Sequence, residues 1–303
     1  MKFEGLRRDL MFRAYDIFFN FFQKFGVHLT PTHYYSPIPD TRSLKDELWT
    51  HSSNMTGVRL NDDKQITLLR DFAREYKGEY SQFPFHPTNV PHQHYLGYRR
   101  FGPGDGEVLY CMIRKFKPAR IIEIGSGNTT YLMAQALLRN REETGRDFQL
   151  MAFDPYPNNV VQAGFPGLSK CIKVRIEDVP LSAFAELEAN DVLFIDSSHA
   201  LRIGGDVQYE YCEIIPSLRT RVLVHSHDIF LPAEYLRDMV MERKLFWGEQ
   251  YLLQAFLAFN DSFSVLWAGS YMHLKHPEEL EAAFPSYNHD RCWPCSFWMR
   301  RVA

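Results

Sequence analysis

Residues 121–130 read IIEIGSGNTT. An apolar run, Ile121–Ile124, stops at Gly125-Ser126-Gly127, and a segment able to form a helix follows. A strand that passes through a glycine turn into a helix is the first half of a βαβ unit. Glycines there let the backbone turn sharply and come close to a ligand. Thr130 stands where a dinucleotide fingerprint would place its third glycine. Glu123, just ahead of the turn, puts a carboxylate where a cationic ligand suits better than a pyrophosphate.

Working outward, short apolar runs recur: FQLMAFD (148–154), CIKVRIE (171–177), DVLFID (191–196) and RVLVHSHD (221–228). Amphipathic stretches around 129–140, 181–189 and 205–215 separate them. Strands alternating with helices predict an α/β fold, a doubly wound parallel sheet covered on both faces. A helix near Trp247–Phe259 comes next, then FSVLWAG (263–269) and SFWMRRV (296–302). With little helix between the final turns, these two strands read as an antiparallel pair closing the sheet edge. The expected organisation is an N-terminal helical and loop extension over residues 1–100 and a ligand-binding domain over 101–303.

In the extension, Leu6, Leu10, Ala14, Ile17, Phe21 and Phe25 fall at helical spacing, with Phe18 and Phe22 widening the stripe. Lys2, Arg7, Arg8, Arg13 and Lys24 make the other face basic. Such a stripe admits contact with a membrane surface, but packing on the protein's own domain or a second subunit is the commoner reason for one. A homodimer is compatible with it. Asn61 is the expected N-cap of a helix over about 62–76. The long irregular stretch at 83–106 reads as a cover over a site, and its His92 and His94 as exposed loop histidines.

A net charge of -3 gives no electrostatic case for nucleic acid. Charges interrupt every apolar run too early for a membrane span or secretory signal, so a cytoplasmic protein is expected. Five scattered cysteines suit a reducing compartment. The pair Cys292 and Cys295 has redox spacing without a thioredoxin-like context, and zinc would need two more ligands.

The second strand ends in Asp154, where doubly wound folds place an acid for ribose hydroxyls. Glu177 and Asp178 follow the third strand, within reach of an adenine amino group. A glycine turn with acids for ribose and adenine, and no phosphate cradle, fits S-adenosylmethionine better than NAD. The motifs EIGSGNTT, FDPYP, IEDVPLS and FIDSSH, in this order, resemble those of class I S-adenosylmethionine-dependent methyltransferases. The resemblance covers roughly residues 100–303. It is nearest to a bacterial group of small-molecule O-methyltransferases related to macrocin O-methyltransferase and cephalosporin hydroxylase, and GVHLTPTHYYSPIPDTR and HDIFLPAEY extend it towards the N-terminus. It implies a Rossmann-like sheet of order 3-2-1-4-5-7-6. By position, Glu123, Gly125, Ser126, Gly127 and Asn128 would surround the methionine part, Asp154 would hold the ribose, and Asp178 would lie near the adenine.

That strand order makes the fourth and fifth strands neighbours, so Asp196, His199, His227 and Asp228 should converge beside the activated methyl group. Transfer to a hydroxyl needs the acceptor's proton removed, by a divalent metal that lowers its pKa or by a histidine base. In metal-assisted relatives the corresponding ligands would be Asp196, His227 and Asp228. His227 departs from the commoner acidic residue and suits Mn²⁺ or Fe²⁺ somewhat better than Mg²⁺. Without metal, His199 is the better base and His227 the alternative; His225, one step back, reads as a core histidine. The expected activity is O-methylation of a small-molecule or carbohydrate-like hydroxyl. Its alternatives are a metal-dependent hydroxylase on the same fold and a non-catalytic partner subunit.

Overall fold

The computed structural model describes residues 15–303. Seven strands form one sheet: β1 (Arg120–Ile124), β2 (Gln149–Phe153), β3 (Lys170–Ile172), β4 (Val192–Ile195), β5 (Leu223–Ser226), β6 (Phe263–Ala268) and β7 (Phe297–Arg301). Their order is β3-β2-β1-β4-β5-β7-β6, with β7 antiparallel to both of its neighbours. This is the expected Rossmann-like methyltransferase sheet.

Alternation along the buried strands feeds two cores, because successive side chains leave a strand on opposite faces. Ile121 and Phe194 face one core, where they join residues of α1 (Asp62–Tyr80), α2 (Asp105–Phe116) and α3 (Asn128–Thr144). Ile122, Leu193, Ile195 and Val224 face the other, with Ile214 and with Leu253 and Leu257 of α4 (Glu249–Leu257). Arg114 of α2 is almost fully buried and ties three helices together, through Glu79 of α1 at 2.9 Å and through Glu143 and Asn140 of α3. Asp191 pins the entry to β1 by accepting from Ala119 N at 3.0 Å and Arg120 N at 2.8 Å.

Several expectations are corrected. The chain divides into residues 1–50 and 51–303, so residues 51–100, read as part of the extension, belong to the second unit. The cause is α1, whose Leu69 and Phe72 are buried in the first core. Asn61 precedes α1 but does not cap it with its side chain; that amide instead donates to Val265 O at 2.8 Å. Residues 181–189 hold only a short 3-10 turn, Leu181–Ala183. Two helices, α5 (Gly269–Lys275) and α6 (Pro277–Ala283), stand between β6 and β7, where little helix was expected.

In the first unit, residues 15–23 are helical and Ile17, Phe18, Phe21 and Phe25 are exposed. Leu6, Leu10, Ala14 and the basic residues before them lie outside the described residues. Among the described residues no helix is long and apolar enough to cross a membrane.

The burial of α1 can be measured. Phe72→Ala should cost about 3–5 kcal/mol of stability in chemical denaturation; a loss under roughly 1 kcal/mol would mean that residues 51–100 contribute little to the core.

Candidate active site

The carboxyl ends of three neighbouring strands are level. Ile124 pairs with Ile195, and Ile195 with Ser226. The ladder continues one step further, with Asp196 N donating to Ile124 O at 2.9 Å and His227 N to Ile195 O at 3.0 Å. Gly125, Asp196 and His227 therefore leave the sheet at one height and open into a single cleft of about 1570 Å³.

At the β1 turn, a Cβ on Gly125 would sit 2.2 Å from the carbonyl oxygen of Asp196. Only glycine fits that approach, and its φ of +93° favours glycine as well. Gly125, Ser126, Gly127 and Asn128 all line the cleft, as does Asp154. Ser126 Oγ donates to Asp154 Oδ2 at 2.6 Å, and Tyr156 N to Asp154 Oδ1 at 2.7 Å. Those two bonds orient the carboxylate while leaving lone pairs on both oxygens for a diol.

Glu123 is fully buried and does not line the cleft. Thr129 Oγ1 donates to its Oε1 at 2.6 Å and Thr130 Oγ1 to its Oε2 at 2.7 Å, while Gly127 N donates to Thr130 Oγ1 at 2.8 Å. Its carboxyl thus braces the turn from below. Asp178 is exposed and also lies off the cleft wall; Ile176 and Glu177 of the same 3-10 turn line it instead.

At the other end, four side chains converge. His199 Nε2 lies 3.3 Å from Asp196 Oδ1 and 3.4 Å from Asp228 Oδ2. His227 Nδ1 lies 3.7 Å from an oxygen of each aspartate. Both His199 and Asp228 hold left-handed backbone, with φ of +59° and +53°, a conformation of modest cost that clusters where function over-determines it. Burial opposes charge on both imidazoles, but the carboxylates outweigh it. The His199 pKa rises well above its ordinary value, through Asp196 and Glu249, and that of His227 rises to about 9, through Asp228, Asp105 and Asp196. Burial would also raise the Asp196 carboxyl, yet the two histidines hold it at about 2.

Sequence reasoning missed the shell behind these residues. Glu249, fully buried at the start of α4, accepts from His199 Nδ1 at 2.8 Å and from Tyr211 OH at 2.9 Å. Nothing in GEQY (248–251) marked it. Asp105 accepts from Cys295 N at 3.0 Å and Ser296 N at 2.9 Å, and its Oδ2 lies 3.7 Å from His227 Nε2. Phe101 packs its ring 4.7 Å from that of His227, so the 83–106 stretch does wall the site. Its His94, expected exposed, is buried: Nδ1 sits 3.2 Å from Asn128 Oδ1, and burial lowers its pKa to about 4. His92 stacks on Phe165. His225 is a core residue stacked on Phe194, although its Nδ1 has no hydrogen-bond partner among the described residues.

Among the described residues two groups have donor atoms close enough to share a cation: Asp196, His227 and Asp228, and Asp105, His227 and Cys295. In the second, two backbone N–H groups already occupy Asp105, and burial pushes the Cys295 thiol up, away from the thiolate a metal needs. The first offers two carboxylates and an imidazole facing the open cleft, and it fits a divalent ion.

Residues 122–229, from β1 to just beyond β5, match the family model of a methyltransferase domain. Over that stretch the chain is similar to a methyltransferase domain, and its sheet order is the one that the class I resemblance implies. No curated protein matches the chain in sequence. Among solved structures, the methyltransferase PaMTH1 of Podospora anserina with S-adenosylhomocysteine is 16% identical, covering 78% of this chain and 88% of its own, at a TM-score of 0.40. CmcI with Mg and S-adenosylmethionine is 15% identical over 75% and 84%, at 0.35. MycE, a methyltransferase of mycinamycin biosynthesis bound to Mg, S-adenosylhomocysteine and mycinamycin VI, is 11% identical over 63% and 47%, at 0.35. Likenesses this distant add nothing to the topology already seen.

Burial raises the Glu123 carboxyl to about 8, against its two threonine bonds. A carboxyl whose folded pKa lies above its unfolded one contributes most stability below the unfolded value, then loses it as pH rises through the folded one. The melting temperature of the methyltransferase domain should therefore fall between about pH 5 and pH 8, and Glu123→Gln should flatten that slope. Equal slopes in the two proteins would assign the buried charge elsewhere.

Proposed function

We propose that the chain methylates a hydroxyl of a small-molecule or carbohydrate-like acceptor. One observation carries this reading. The glycine turn with Asp154 and the cluster Asp196, His199, His227 and Asp228 open into the same cleft, as a donor and an acceptor aligned for direct displacement require.

S-adenosylmethionine supplies a methyl group on a good leaving group. The acceptor oxygen attacks that carbon in line, the carbon–sulfur bond breaks with its electron pair going to sulfur, and the hydroxyl proton must leave. Asp154, oriented by Ser126, takes the ribose hydroxyls. Glu177 and Ile176 form the wall where Asp178 was expected to act. Asp196, His227 and Asp228 would hold a divalent cation, which would orient the acceptor and lower its pKa. His199 is the proton acceptor: Glu249 fixes its Nδ1–H, leaving Nε2 towards the cleft. With both aspartates engaged by a cation, His199 would lose two of the charges that hold its own proton. No feature favours the hydroxylase or non-catalytic alternatives.

Asp154→Ala should weaken S-adenosylmethionine binding about 10- to 100-fold by calorimetry; unchanged affinity would remove Asp154 from the donor site. Asp228→Asn should lower turnover by roughly 100-fold or more while binding the donor as before, and full activity in that variant would exclude Asp228 from the chemistry. Calorimetry of Mn²⁺ into chelator-treated protein tests the cation site: wild type should bind, and Asp196→Asn should bind more weakly. No heat from wild type would leave His199 to act alone.

A further inference from the structure

Among the described residues six arginines line the cleft, and they fall into two kinds. Arg175 and Arg202 are neutralised, the first by Glu177 and the second by Asp206 at 3.3 Å. Arg99, Arg100, Arg243 and Arg291 are exposed, and among the described residues none of their guanidinium groups meets a carboxylate or any other hydrogen-bond acceptor.

The four unpaired arginines come from three separate segments, each touching the catalytic cluster. Arg99 and Arg100 precede Phe101, which packs on His227. Arg243 stands four residues before Trp247, whose ring lies 4.5 Å from that of His199. Arg291 stands four residues before Cys295, whose Sγ is 3.6 Å from His227 Nε2. The acids nearby are already engaged: Asp196 and Asp228 by imidazoles, and Asp105 by backbone N–H groups. Asp238, on the same wall as Arg243, is the remaining carboxylate without a side-chain partner among the described residues lining this part.

Four guanidinium groups against one carboxylate is an unusual local balance in a chain of net charge -3. Like charges gathered in a cleft repel, and low-dielectric walls focus their field, so the arrangement costs free energy until an anion enters. Arginine's planar fork matches phosphate oxygens two at a time. The cleft, at about 1570 Å³, also exceeds the roughly 300–1,000 Å³ typical of a single-ligand site, leaving room for a second molecule beside the donor.

Building on the methyl-transfer reading, we propose that the acceptor is anionic: a hydroxyl compound bearing a phosphate or diphosphate group, held by Arg99, Arg100, Arg243 and Arg291. The anion anchors the acceptor at the arginine wall while its hydroxyl reaches the cluster around His199.

The test is calorimetry of inorganic pyrophosphate into the chelator-treated full chain, with S-adenosylmethionine titrated separately. Wild type should bind both, with pyrophosphate favoured over sulfate and its affinity falling as salt rises. The double variant Arg100→Gln/Arg291→Gln and the single variant Arg243→Gln should each bind pyrophosphate roughly tenfold more weakly, with donor affinity and melting temperature unchanged. If the double variant does not fold, Arg243→Gln and the wild-type salt series decide alone. Wild type that binds the donor but no pyrophosphate up to roughly 10 mM, or folded variants that bind pyrophosphate as well as wild type does, would overturn the proposal. Pyrophosphate binding that depends on the arginines, in a protein that does not bind the donor, would support the anion site and refute methyl transfer.

Discussion

Gly125 and the carbonyl of Asp196 approach so closely that no side chain can come between them. That contact brings the end of β1 against the end of β4 just beyond their last paired residues. One backbone meeting thereby sets two things at once: the height of the glycine turn, and the position from which Asp196 reaches the cluster. The bracing beneath it is equally specific. Glu123 accepts from two threonines on the first turn of α3, and one of them accepts from Gly127 N. The turn is thus held from above by a steric limit and from below by a buried carboxyl.

The charged side chains lining the cleft are partly paired and partly free. Asp154 lines it beside the glycine turn, and Arg175 and Arg202 are paired with Glu177 and Asp206. At the centre, two histidines and two aspartates balance one another, and Glu249 with Tyr211 holds His199 from behind. Arg99, Arg100, Arg243 and Arg291 line the same cleft.

The sheet was legible because buried strands carry a signal that tertiary context seldom overrides: IIEI, LMAF, VLFI and the run into His225 are too apolar and too short to be anything else. The same rule misled at 181–189, where an amphipathic spacing lacked the length to form a helix and stayed a single turn. Residues 51–100 were misassigned for a different reason. The helix over Asp62–Tyr80 was recognised, but periodicity says which face is buried, not against what, and the partner is the domain's own core. His94 shows the limit for loops: an irregular, histidine-rich stretch looks exposed until the fold closes over it.

By itself the sequence determined the alternation of strand and helix, the glycine turn, and the acids and histidines at the strand ends. Each depends on neighbours within a few residues or on a position in a regular repeat. Tertiary structure alone decided that Glu249 backs His199 across 50 positions, that Asp105 backs His227 across more than a hundred, and that Glu177 rather than Asp178 lines the cleft. It also brought arginines from three segments to one cleft. These pairings join residues far apart in the chain or turn on which way a loop side chain faces, and no local periodicity encodes either.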